Sequence, residues 1–133
     1  MKRIVLDASA VMAFFENQPG AEKVHDLIHL GIEGERQLLM SVVNWGEAYY
    51  STWRTKGPGA AQHFLDEFAQ LPIQLIPADA ELARTAAEFK ANLNLPYVDG
   101  FAAALALQRK ASLATSDKDF SRIQKKLDIL WTT

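Results

Sequence analysis

Leu95-Pro96-Tyr97-Val98-Asp99-Gly100-Phe101-Ala102-Ala103-Ala104-Leu105-Ala106-Leu107 is the stretch on which the fold turns. From Phe101 to Leu107 every side chain is apolar, so a helix here is hydrophobic all round and belongs in an interior, covered on every side. Asp99 stands at the entrance to that helix. A helix amino terminus carries orphan N–H groups and a positive partial charge, so capping alone explains a lone carboxylate there. A further role requires other acids to arrive at the same place.

On either side of this segment the chain alternates short apolar runs with helical patterns. Downstream, Gln108-Arg109-Lys110 puts positive charge in a last helical turn, as the macrodipole prefers, and Ala111 to Ala114 is strand-like. Thr115-Ser116-Asp117-Lys118-Asp119-Phe120 then turns the chain. Asp117 is placed to cap a short helix containing Phe120 and Ile123, and Leu127 to Trp131 can form a last edge strand. Upstream, Asp79 caps a helix whose apolar stripe is Leu82, Ala86, Phe89 and Leu93, and Ile73 to Ile76 is a short strand between Pro72 and Pro77.

Further upstream, Lys56-Gly57-Pro58-Gly59 separates two helices, the later one carrying Phe64, Leu65, Phe68 and Leu71 inward. The earlier one opens at Asn44, after a strand over Gln37 to Val43. In it Val43, Glu47, Tyr50 and Arg54 share a face, so Glu47 needs a partner, which Arg54 or a site could supply. Gln18-Pro19-Gly20 precedes a helix with the stripe Val24, Leu27 and Ile28, and its His25 and His29, beside Lys23 and Asp26, read as a solvated face rather than a metal pair. At the start, Lys2 to Leu6 is a strand buried on both faces, followed by Asp7 and a helix over Ala8 to Asn17.

The 133 residues, 49% of them hydrophobic, suffice for one domain with a proper core and would be cramped as two. With a formal net charge of −2 there is no global basic signature, so contact with nucleic acid requires a local basic patch. The absence of Cys excludes disulfides, a thiolate nucleophile and a sulfur-bound zinc cluster. The opening apolar run breaks at Asp7, too soon for a signal-peptide core or a membrane span, which points to a cytoplasmic protein without membrane association. Phe14, Phe15, Trp45, Tyr49, Tyr50 and Trp53 are more aromatic surface than so short a chain buries in one core, so some are expected to face a partner.

Strands alternating with helices predict βαβ units, an α/β fold with all strand carboxyl ends on one edge. That arrangement sends Asp7, Glu47, Asp99 and Asp117 to the same edge. Two carboxylates about 4 Å apart repel by about 4 kcal/mol at an effective dielectric near 20, so four need a counter-charge. No Lys or Arg accompanies each of the four in sequence, and a hard divalent cation with oxygen ligands is the economical solution.

Four stretches, Ile4-Val5-Leu6-Asp7-Ala8-Ser9, Ser41-Val42-Val43-Asn44-Trp45-Gly46-Glu47, Asp99-Gly100-Phe101-Ala102-Ala103-Ala104 and Thr115-Ser116-Asp117-Lys118-Asp119-Phe120, together resemble the PIN domain family, and within it the VapC-type toxins of bacteria and archaea. Each motif alone is weak; their order, spacing and total length are specific. The resemblance covers residues 1–133 and implies a single PIN domain, a three-layer α/β/α fold around a central, mostly parallel sheet of four to five strands. It implies that Asp7, Glu47, Asp99 and Asp117 are the catalytic acids and hold Mg²⁺ or Mn²⁺. Ser9 and Thr115 would support them through hydroxyl groups, and Asp119 would play a lesser supporting part. Gly100, where many members have Ala, is a departure expected to loosen the start of the helix.

The implied activity is that of a metal-dependent endoribonuclease, the toxin of a VapBC-type toxin–antitoxin pair, hydrolysing RNA phosphodiester bonds. Its implied partners are RNA, a cognate antitoxin and a second copy in a homodimer. No His stands in the four motifs, which disfavours a metal-free ribonuclease. Two alternatives are a PIN scaffold without nuclease activity and a metal-dependent binding module. The latter would use Asp7-Ala8-Ser9 as the start of a D-x-S-x-S motif, but Val11 stands where the second Ser belongs. A phosphoaspartyl enzyme would want Asp where Ser9 stands, and a response-regulator receiver would want an acidic pair at the end of the first strand, which is missing.

Overall fold

Ile4, Val5 and Leu6 end the first strand, and successive side chains enter two separate hydrophobic cores, as the two-residue period of a buried strand demands. The computed structural model describes residues 2–133. In chain order the elements are β1 (Lys2–Leu6), α1 (Ala8–Glu16), α2 (Ala21–Ile32), β2 (Arg36–Ser41), α3 (Val42–Lys56), α4 (Pro58–Phe68), β3 (Ile73–Ile76), α5 (Ala80–Leu93), α6 (Tyr97–Gln108), β4 (Ser112–Thr115), a 3₁₀ turn (Lys118–Ile123) and β5 (Ile129–Trp131). The strands form one sheet in the order β3-β2-β1-β4-β5, and every neighbouring pair is parallel. The expected three-layer arrangement is therefore present, with five strands and a wholly parallel sheet.

One core joins the sheet to α5, α6 and the 3₁₀ turn through Val5, Leu39, Phe101, Leu105, Leu113 and Phe120. The other joins it to α1, α2 and α4 through Leu6, Met40, Val11, Leu27 and Phe64. Strand order reverses between β1 and β4, and in open parallel sheets the crevice at the carboxyl ends of such strands is where ligands bind. Asp7 follows β1 and Thr115 ends β4, so both lie at this crevice.

Three expectations change. The strand expected over Gln37 to Val43 stops at Ser41, because the Ser41 hydroxyl accepts the Val43 N–H at 3.2 Å and starts α3. Glu47 consequently lies in the second turn of α3. The α6 helix begins at Tyr97 with Pro96 as its cap, so Asp99 lies within the first turn and makes no capping bond. Residues Asp99 to Ala106 are buried, but Leu107 is 37% exposed because the last turn emerges at the far edge of the sheet.

Gly100 tightens the fold where it was expected to loosen it. A Cβ at this position would lie 2.9 Å from the Ala86 carbonyl oxygen and 3.0 Å from the Ala86 Cα, so α5 and α6 touch there backbone to backbone. Gly100→Ala gains helix propensity of up to about 1 kcal/mol but forces two packed helices apart. The expected net result is a loss of about 1–2 kcal/mol, read as a lower urea midpoint at unchanged m-value.

His25 and His29 are solvent-exposed, and His29 lies 3.0 Å from Glu33. Of the six aromatic residues, Tyr50 and Trp53 are each 48% exposed, while Phe14, Phe15, Trp45 and Tyr49 pack partly buried against the core on the α1 side.

Candidate active site

The carboxylate of Asp7 is buried and held by three donors. Its Oδ1 accepts the Ala10 N–H at 2.9 Å, which caps α1, and the Ser9 hydroxyl at 2.7 Å; its Oδ2 accepts the Thr115 hydroxyl at 2.6 Å. Both hydroxyls in turn accept from the loop after β4, Ser9 from the Ser116 N–H at 3.1 Å and Thr115 from the Asp117 N–H at 3.0 Å. Each hydroxyl has one hydrogen and gives it to Asp7, so the 3.2 Å approach of Ser9 Oγ to Thr115 Oγ1 follows from a shared acceptor. Ser9 and Thr115 thus fix Asp7 and the loop bearing Asp117 together.

Removing one donor leaves a buried carboxylate oxygen short of a partner, a loss of about 1–3 kcal/mol. Thr115→Val, nearly isosteric, is expected to show that loss in chemical denaturation, and Thr115→Ser is expected to recover most of it.

Asp117 Oδ1 accepts the Asp119 N–H at 2.9 Å and starts the 3₁₀ turn, so the capping role expected of Asp117 is real. It engages one oxygen and leaves the other available. Carboxylate oxygens of Asp99, Asp117 and Asp119 lie within 4.8 Å of one another, which brings Asp119 into the group more closely than the sequence suggested. Arg122 lies 3.7 Å from Asp119 at the exposed margin, where an ion pair contributes little.

Burial and neighbouring charge hold Asp99, Asp7 and Glu47 towards their protonated forms. Asp99 is pushed up to about 8 by burial first, then by the charge of Asp117 and a hydrogen bond with it, and by Asp7 and Glu47. Asp7 is pushed up to about 6 by burial, against the lowering effect of its bonds from Thr115, Ala10 and Ser9. Glu47 is raised by burial and then by the charges of Asp7 and Asp117, with Asn44 opposing. The charges of the four expected acids thus reach one another, but among the described residues Asp7 and Glu47 do not join the group of carboxylate oxygens within 4.8 Å that Asp99, Asp117 and Asp119 form. Glu47 forms no ion pair with Arg54 among the described residues.

Asn44 escaped the sequence reading. Its Nδ2 donates to the Val98 carbonyl at 3.0 Å and ties α3, which carries Glu47, to the start of α6, which carries Asp99. Only its position one turn before Glu47 hinted at this. An all-oxygen cluster that repels itself this strongly suits a hard divalent cation.

A family model for the PIN domain matches residues 4–126. The chain belongs to the PIN domain family. The PIN fold is also found in solved structures of low sequence identity. VapBC2 from Rickettsia felis, bound to a DNA fragment from its promoter, has a TM-score of 0.77 at 18% identity over 97% of this chain and 98% of that one. DNA-bound VapBC from Salmonella typhimurium has a TM-score of 0.74 at 16% identity, with both chains fully covered. The Mycobacterium tuberculosis toxin VapC20, which cleaves the Sarcin-Ricin loop, has a TM-score of 0.72 at 18% identity over 89% of this chain and 92% of that one. At these identities the likeness to the three is one of PIN fold. No curated protein matches the sequence. Among the described residues no helix is long and apolar enough to cross a membrane.

Proposed function

We propose that residues 1–133 act as one PIN domain, a Mg²⁺- or Mn²⁺-dependent endoribonuclease that is the toxin of a VapBC-type pair and hydrolyses RNA phosphodiester bonds in the cytoplasm. The observation that carries this reading is the electrostatically coupled acid cluster at the reversal between β1 and β4. In it Asp7, Glu47, Asp99 and Asp117 are the catalytic acids and hold the cation, with Asp119 contributing from the same side. Ser9 and Thr115 keep Asp7 oriented. A bound divalent ion lowers the pKa of a water and stabilises charge on phosphate oxygens. One of these acids, Asp99 or Asp117, would orient the attacking water or take up its proton.

RNA as substrate is supported by the likeness to a toxin that cleaves the Sarcin-Ricin loop, and an antitoxin partner by the likeness to VapBC structures. The exposed Tyr50 and Trp53 suit a homodimer or antitoxin contact. An antitoxin Arg, planar and permanently charged, would neutralise the cluster in competition with the cation.

The test is cleavage of RNA by the purified protein with and without Mn²⁺. Fragments that appear only with the ion, and not with Asp7→Asn, support the reading. A protein that binds Mn²⁺ yet cuts no RNA would instead be a scaffold.

A further inference from the structure

The parallel sheet gathers every strand start at one edge, remote from the acids, and positive charge collects there. Lys2 and Arg3 open β1, Arg109 and Lys110 follow α6, and Lys126 precedes β5; together they line an open cleft of about 730 Å³. These are five of the 14 Lys and Arg residues in a chain whose net charge is −2, so the cleft is a local basic patch of the kind nucleic-acid contact requires. None of the five forms an ion pair among the described residues. The one carboxylate lining the cleft, Asp128, accepts the Ser112 hydroxyl at 2.6 Å. Arg3 is braced against the cleft wall, its guanidinium donating to the Arg109 carbonyl at 3.1 Å and to Gln37 at 3.1 Å. Like charges assembled this way without counter-ions repel one another and attract polyanions.

The acid cluster repels phosphates in the absence of a cation, so attraction for RNA must come from another part of the surface. A strand of this length separates the two edges by roughly 16 Å, at about 3.3 Å per residue. We propose that the cleft binds backbone phosphates of RNA flanking the segment that lies at the acids, which makes it a docking site for substrates longer than the cut segment. This rests on the ribonuclease reading above.

The test measures binding of a long stem–loop RNA in EDTA, where no hydrolysis is needed, and cleavage of a hexanucleotide in Mn²⁺. Lys110→Asn with Lys126→Gln removes two charges safely: Lys110 has a φ of 52°, and Asn tolerates that left-handed conformation. Each lost phosphate contact lowers the slope of log K against log salt by about one, so the double variant should bind the stem–loop with a slope reduced by about two and roughly tenfold or more weaker at low salt. Hexanucleotide cleavage in Mn²⁺ should be unchanged, and Lys90→Gln, on the outside of α5, should leave the slope with the stem–loop within half a unit of wild type. An unchanged stem–loop slope, weaker hexanucleotide cleavage by the double variant, or an equal effect of Lys90→Gln overturns the cleft proposal while leaving the ribonuclease reading intact. Failure of the wild type to cleave in Mn²⁺ counts against the ribonuclease reading, and the binding data remain interpretable.

Discussion

Asp99→Asn should reduce RNA hydrolysis by on the order of 10²–10³-fold or more, the loss typical of removing one group that stabilises reacting charge. It should also weaken Mn²⁺ binding, while the folded protein is retained. Asp99 is buried at the start of α6 but makes no capping bond, so helix formation does not depend on it. Without a cation its proton is held against the charges of Asp117, Asp7 and Glu47, and Asn resembles that neutral form in size and charge. The variant should therefore melt in EDTA at or above the wild-type temperature. Titration calorimetry with Mn²⁺ and a cleavage time course complete the test. If Asp99→Asn melted far below wild type in EDTA, the carboxylate would be structural and its place in the cluster incidental.

Capping and clustering proved compatible, although the cap read for Asp99 is not made and falls instead to Asp7, alongside Asp117. Asp7 caps α1 with Oδ1 and receives Thr115 with Oδ2; Asp117 caps the 3₁₀ turn with one oxygen and faces Asp99 with its carboxylate. The strand-to-helix rhythm located these residues because a parallel sheet sends every strand's carboxyl end to one side. Asp119 was harder to place, since a 3₁₀ turn has no apolar periodicity to reveal which side chain returns to the cluster. Val42 and Val43 look like strand to any β-branched scale, and the hydroxyl bond of Ser41 overrides that preference. Gly100 acquires its meaning only from Ala86, fourteen positions away on a different helix. The basic cleft was invisible for a similar reason: its cations are scattered from Lys2 to Lys126, and only the sheet topology brings them together.

The same coupling of acids fixes how stability should respond to pH. In EDTA the melting temperature is expected to fall as pH rises from about 4 to about 8. Asp7 and Asp99 begin at 3.8 in the unfolded chain and are raised to about 6 and about 8 in the folded one. Between those limits the folded state binds more protons than the unfolded state, so the slope of unfolding free energy with pH is negative. Stability present at about pH 4 is lost as each group ionises, Asp7 first and Asp99 last, and Glu47 adds to the loss in the same direction. Mn²⁺ should reverse the trend. Its ligands must be deprotonated, so affinity grows with pH, and saturation at 100 times Kd stabilises by about 2.7 kcal/mol. Asp99→Asn separates this effect from ordinary surface titration: it should remove the upper part of the slope, between about pH 6 and 8, and most of the stabilisation by Mn²⁺. Near pH 8 in EDTA it should then melt higher than wild type by on the order of 5 °C, the shift about 1 kcal/mol produces in a domain of this size. A wild-type melting temperature that stayed flat from about pH 5 to 8 in EDTA would mean that the folded acids carry no excess protons. The cluster would then be too well solvated to need a cation.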